Sequence, residues 1–399
     1  MRKARRPAAT ALALALALQL GAAVPAVAAD ITATAGYENG NSPLNLTQIA
    51  RYTSGQFNVD GGVMEIVAYN QSNDFAYAIN GQSGLLAAIS LKNLAAGSSV
   101  AQLSGTDIDV KALVEAADSS FRYGDMTSVA VSPDSATLAA ALQAEGYNDA
   151  GRVALFTCNA DGTLTLKGLV ETGVQPDMVT FADNDTVLTA DEGEPREGYG
   201  DGIADPRGSV TVVDVSALTS EVVGFDAFDG RRDELAASGV VLKKGVNPST
   251  DLEPEYIAVS GGKAYITLQE NNAIAVLDLT SRTFDGIYSA GFEDYGVTPV
   301  DIDKKDDAYA PKTYGGLMGI RMPDAIAAFQ AEGKTYLVTA NEGDAREWGD
   351  EDLGTFYLNE DERDFGDEGV TSPTGAITAE NSGLTGKVVF FKSGDFDGL

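Results

Sequence analysis

Apolar positions along this chain fall into short β-type runs that come in pairs. The clearest pair lies between Met322 and Trp348. Pro323 and Asp324 open an apolar run that ends at Phe329. Gln330 to Lys334 is polar. Tyr336 to Thr339 is a second β-rich run, closed by Asn341, Glu342, Gly343 and Asp344. Two such runs joined by a short polar turn predict an antiparallel hairpin. Its first and last residues then lie at the same end, so Asp324 and Glu342 are expected to be neighbours.

The unit recurs upstream. Pro176-Asp177 opens a run to Phe181, followed by Thr186 to Ala190 and by Asp191, Glu192, Gly193 and Glu194. Pro254-Glu255 opens a run to Val259, followed by Ala264 to Leu268 and by Gln269, Glu270, Asn271 and Asn272. Weaker copies begin at Met64-Glu65, closing at Asn80, and at Met126-Thr127, closing at Gln143. The opening and closing polar residues are 15 apart for Glu65 to Asn80, Asp177 to Glu192 and Glu255 to Glu270, and 16 apart for Thr127 to Gln143. Successive copies start 50 to 78 residues apart. That is too irregular for a uniform solenoid but fits propeller blades with loop insertions. Outer strands are expected at Gly84 to Ile89, Gly151 to Phe156, Gly208 to Asp214, Ala273 to Leu279 and Gly386 to Phe391. Val110 to Ala117 and Arg231 to Ala237 have helical composition. Leu46 to Tyr52 is expected to be a lone strand that completes the last blade and closes the ring. The fold class read from this pattern is all-β, a β-propeller.

Residues 1–29 have a basic start, an Ala/Leu run and a small-residue site before Asp30, the pattern of a secretory signal peptide. The apolar run is too short and alanine-rich for a membrane span, so the mature domain, 30–399, is expected to be periplasmic, extracellular or at the cell surface. The net charge is −32, and the leader carries four basic and no acidic residues, so the mature chain is more acidic still. Such a surface repels nucleic acid and anionic lipid and favours cations or basic partners. There is no histidine and only one cysteine, Cys158. That removes Ser-His-Asp and Cys-His catalysis, histidine-bearing zinc sites and internal disulfides. Any metal must be held by oxygen, which points to calcium first and magnesium second.

In a propeller the innermost strands line the central channel. Glu65, Asp177, Glu255 and Asp324 would then ring one mouth, and Asp191, Glu192, Glu194, Glu270, Glu342 and Asp344 would crowd the same rim. Gathered carboxylates repel, and their pKa values rise unless a cation neutralises them. These ten acids are therefore the candidate metal ligands, with backbone and asparagine carbonyls as further donors. Taken singly, each acid is better explained as a turn cap or a salt-bridge partner of Arg321 or Arg346. Those two arginines are the candidate anion-binding groups.

The segments 176–195, 251–279 and 323–346, together with LTQIARYTSG…EIVAYN over 46–70, resemble the bacterial choice-of-anchor I domain, which is related to mesenchyme-specific cell-surface glycoproteins. The resemblance implies a secreted propeller of the YVTN or quinoprotein-like, seven-bladed type. Its signature acids here are Asp177, Glu192, Glu194, Glu253, Glu255, Glu270, Asp324, Glu342 and Asp344. Members are often labelled alkaline phosphatase. The family pattern continues beyond Arg346 through further blades, so this chain reads as about five blades' worth, incomplete at its C-terminus. The function expected is a calcium-dependent binding or scaffold module, monomeric, with a protein or carbohydrate ligand at the cell surface. The alternatives are a metal-dependent phosphatase or phosphodiesterase built on the clustered carboxylates and, more weakly, a calcium-using lactonase-like hydrolase.

Overall fold

A computed structural model describes residues 32–35, 44–56, 63–81, 83–95, 99–198, 202–302, 308–343, 362–364, 389–391 and 394–399. The expected leader, Asp344 and Arg346 lie outside the described residues.

The paired runs are the inner halves of four-stranded antiparallel sheets whose strands follow one another in chain order. Blade 1 holds Val67–Asn70, Phe75–Asn80, Leu85–Ser90 and Gly105–Asp109. Blade 2 holds Tyr123–Val131, Thr137–Ala144, Ala150–Cys158 and Leu164–Val174. Blade 3 holds Pro176–Phe181, Thr186–Asp191, Ser209–Asp214 and Thr219–Gly224. Blade 4 holds Ile257–Ser260, Lys263–Leu268, Ala273–Asp278 and Thr283–Ser289. The fifth repeat supplies an inner pair, Pro323–Ala331 with Lys334–Asn341. The fold is an all-β propeller architecture, as the repeats predict.

Second strands such as Thr137–Ala144 are buried almost end to end, because each blade is covered on both faces. Strands packed that way lose the in–out alternation of a half-exposed sheet. One core joins blades 1 and 2 through Tyr77, Leu86, Met126 and Phe156. A second joins blades 2 and 3 through Leu155, Val179, Val187 and Val213. A third joins blades 3 and 4 through Leu188, Val212, Ile266 and Leu277. Phe225 and Phe228 belong to this third core, carried by the insertion that forms the helix Arg232–Ala237. The helix Val110–Ala117 forms where its composition predicts. Asp109 caps it by accepting from Ala112 N at 2.8 Å, and Val110 and Val114 are buried.

The hairpin turns follow from local chemistry. Gly261 and Gly262 both have positive φ, and so do Glu332 and Gly333. This is the two-residue turn whose twist matches that of the flanking strands. Asp214 and Asp278 are turn residues, each accepting backbone N–H groups from the next loop.

The N-terminal expectation is corrected. Leu44–Thr47 pairs with Thr32–Ala35, and Ala50–Arg51 runs parallel to Ala101–Gln102, beside blade 1. This segment does not pair with the fifth repeat. Its side chains explain why: Tyr52 packs against the outer face of blade 1 together with Met64, Leu91 and Leu103.

Candidate functional site

The opening polar residue of each repeat sits at an irregularity in its innermost strand. In blade 3, Pro176 pairs with Asp191 and Met178 with Ala190, so Asp177 is an extra residue. Thr127 is the extra residue in blade 2, and Asp324 and Ala325 face Ala340 in the fifth pair. In blade 4, Glu255 N donates to Thr267 O at 3.0 Å while Thr267 N donates to Tyr256 O at 2.9 Å, so two residues oppose one. Blade 1 repeats this with Glu65, Ile66 and Ile79. An extra residue bends the strand and re-aims its side chain. Five repeats use that device at the same point, at the same end of the inner hairpin.

The opening acids of several blades are close enough to act on one another. Burial pushes Asp177 up to about 7, with Glu194, Asp324 and Asp125 adding to the rise and Arg196 opposing it. Burial raises Asp125, reinforced by Glu65. Burial raises Asp324, reinforced by Glu342. The Tyr256 phenol is driven up to about 12 by burial and by Asp177, Asp324, Glu255 and Glu342. Acids from blade 1 to the fifth repeat therefore share one electrostatic environment.

Its densest part lies between blades 3 and 4. Glu192 and Glu255 are only 8% and 9% exposed. Burial raises both well above the usual carboxylate range. Glu255 adds most to the rise in Glu192, and Glu270 adds most to the rise in Glu255. The Glu192 side chain, close to Glu255, acts against the rise in Glu255. Glu194 and Asp177 add further negative charge to both. Among the described residues the cation facing this group is Arg196, whose Nε donates to Glu194 Oε2 at 2.9 Å and whose Nη1 donates to Gln143 Oε1 at 2.8 Å. Its Nη2 stands 3.7 Å from Glu192 Oε2.

The local fold fixes this arrangement. Gln175 Nε2 donates to Tyr147 O and Glu194 O, and Gln175 Oε1 accepts from Glu194 N, so the loop after Asp191 is tied down over blade 2. Gly193 has φ +70° and lies against Arg207. Gly208 lets Leu252 O approach to where a Cβ would stand 2.0 Å away. Both loops must therefore pass at backbone contact to bring Glu192 beside Glu255.

Several sequence candidates stand apart from the cluster. Asp191 is fully buried, but it accepts hydrogen bonds from Thr189, Ser209 and Thr211 hydroxyls and from Gly173 N. Its pKa rises to about 6 through burial, against those four donors. Asp191 is a structural acid inside blade 3. It pairs within the sheet, whereas Glu192 lies just beyond the strand end. Asn271 and Asn272, which close the blade 4 repeat, hold the frame. Asn271 Nδ2 donates to Val241 O and Asp251 O, and Asn272 links Gly291 O to Met322 N. Glu253 is buried, its backbone N–H donating to Asn271 Oδ1. Arg321 is engaged by Glu293 Oε2 at 3.2 Å and Ala290 O at 2.8 Å. Among the described residues no three acidic, histidine or cysteine side chains already stand in metal-ligand geometry.

Two members of the site are absent from the sequence reading. Asp125 lies two residues ahead of the slot that the repeat assigned to Thr127. Arg196 follows Glu194-Pro195 within the acidic run of blade 3, the signal that would have found it. Thr127 does contribute: its hydroxyl donates to Pro176 O at 2.7 Å and joins blades 2 and 3 beside the mouth.

Among solved structures, a protein from Lactobacillus plantarum is 13% identical with a TM-score of 0.37, over 57% of this chain and 60% of that one. The β-propeller domain of Cps50 (Swd1) from Myceliophteria thermophila is 12% identical with a TM-score of 0.35, over 58% and 57%. A putative 6-phosphogluconolactonase from Bacteroides fragilis is 13% identical with a TM-score of 0.34, over 68% and 59%. The match spans less than two thirds of each of those three chains. No curated protein matches this chain. The choice-of-anchor I domain family matches residues 65–389, most of the sequence and all five repeats, and the chain belongs to that family.

Proposed function

We propose that this protein is an exported, cell-surface β-propeller that acts as a binding or scaffold module, with a hard divalent cation recruited at the acidic mouth. Calcium is favoured over magnesium, because its larger and looser shell accepts carboxylates spread over several blades, while magnesium demands a tight octahedron. One observation carries the reading: acids from several successive blades raise one another's pKa, with Arg196 the cation that offsets them. That arrangement is costly without added positive charge. A cation would enter with bound water between it and some carboxylates, or draw side chains such as Glu194 and Asp177 inward. No helix among the described residues is long and apolar enough to cross a membrane.

A phosphatase at the same mouth would need free cationic groups for its substrate. Arg196 and Arg321 are already held by Glu194, Gln143 and Glu293, so the binding module is preferred. Calorimetric titration of the chain with calcium tests this. The expected result is saturable heat and a raised melting temperature, both lost in Asp177→Asn. No heat and no thermal shift with calcium or magnesium would remove the proposal.

A further inference from the structure

We propose a second binding site on blade 2, for a small zwitterion carrying one carboxylate and one ammonium group, of the amino-acid class. A cavity of about 300 Å3 lies at the end of this blade where Tyr123–Val131 begins and Thr137–Ala144 ends, a volume at the lower bound of small-molecule sites. Its floor is Phe121, 3% exposed, with the Arg152 guanidinium 5.2 Å above the ring centroid. Arg122, Asp149 and Glu171 stand around it, and Ala144 adds an apolar wall.

The charges are unequally engaged. Arg152 is held by Asp118 and Glu171, each at 3.3 Å, and by Gly151 O at 2.8 Å. Arg122 uses only Nη1, donating to Ser119 O and Phe121 O. Its Nε and Nη2 make no hydrogen bond to described residues. The Asp149 carboxylate makes no ion pair or hydrogen bond to described residues either. One guanidinium and one carboxylate thus face the same cavity with capacity to spare. A planar guanidinium takes a carboxylate with two parallel bonds, and a carboxylate accepts from an ammonium group.

The charge of the whole molecule selects among ligands. At −32, the chain repels a simple anion from Arg122, and a simple cation is drawn to the acidic mouth instead. A zwitterion has no net charge to be repelled, and it satisfies Arg122 and Asp149 together. None of the ten candidate ligands of the mouth lines this cavity, and binding there does not depend on calcium.

The test titrates the full chain, by calorimetry, with three molecules of matched shape. L-leucine carries both charges, 4-methylpentanoate only the carboxylate, and 3-methylbutylamine only the ammonium group. The expected result is saturable binding of leucine at least tenfold tighter than either single-charge analogue, with Arg122→Gln and Asp149→Asn each weakening leucine by about tenfold or more. Both positions are exposed, so each variant should melt within a few degrees of the parent, which confirms that it is folded. Absence of leucine binding, equal binding of 4-methylpentanoate, or leucine binding unchanged in both folded variants would overturn the proposal.

Discussion

Blade 3 and the fifth inner pair are built from the same repeat, with proline and aspartate opening, a bulge, a tight hairpin and an acidic close, yet they are different environments. In blade 3 the second strand is buried nearly throughout, and Asp177 rises to about 7. In the fifth pair the residues alternate between half-buried and exposed, with Val338 57% and Phe329 48% exposed. There Asp324 is raised chiefly by its own burial and its hairpin neighbour Glu342. The motif sets where the acid points; packing of neighbouring blades sets how much its charge costs.

Core truncation should break the comparison most widely. Ile266→Ala, at a fully buried site between blades 3 and 4, is expected to cost about 2–5 kcal/mol. Val338→Ala in the fifth pair should cost about 0.5 kcal/mol or less. Urea denaturation of both variants checks this; similar losses would mean that the two regions are equally packed.

Next is the buried acid of blade 3. Thr211→Val removes one of four donors from Asp191 and should cost about 1–3 kcal/mol at pH 7. Because the folded pKa of Asp191, about 6, lies above the unfolded value of about 3.9, the native state holds its proton longer. Its stabilising effect is therefore present below about pH 4 and is lost as pH rises to about 6. The cost of Thr211→Val should shrink on going from pH 7 to pH 5. Melting curves across that range measure it, and a pH-independent cost would contradict the assignment.

The Glu192–Glu255 pair gives a smaller effect, of opposite sign on substitution. Glu192 and Glu255 are both raised on folding, so they too favour the native state at low pH and weaken it as pH rises. Glu192→Gln keeps a hydrogen-bonding group and removes one charge. At pH 8 it should stabilise the metal-free chain by about 1 kcal/mol and flatten the pH profile. The smallest effect belongs to the fifth pair, where Asp324→Asn should shift stability by about 0.5 kcal/mol or less.

Much of the scaffold was legible because a hairpin converts sequence spacing into spatial adjacency. The constant 15-residue interval put Asp177 beside Glu192 and Glu255 beside Glu270 before any fold was known. The helix Val110–Ala117 was visible from its composition, and the structure adds the Asp109 cap. Asp191 was misread because residues on either side of a strand end point differently: one turns into the sheet, the next onto the rim. Asp125 was missed because the repeat is aligned on its bulge, and nothing in local spacing says that the residue two positions earlier also reaches the mouth. The Ala50–Arg51 strand was misplaced because parallel pairing between distant segments leaves no local signature.

The central claim is that burial and crowding raise the carboxyls of the mouth, so that protons compete there with a divalent cation. Calcium titration near pH 7, repeated in buffers of different ionisation enthalpy, counts protons released on binding. The account predicts about one or more protons expelled per calcium bound, reduced in Glu192→Gln. Calcium bound with no proton release, or no calcium bound at all, would contradict it.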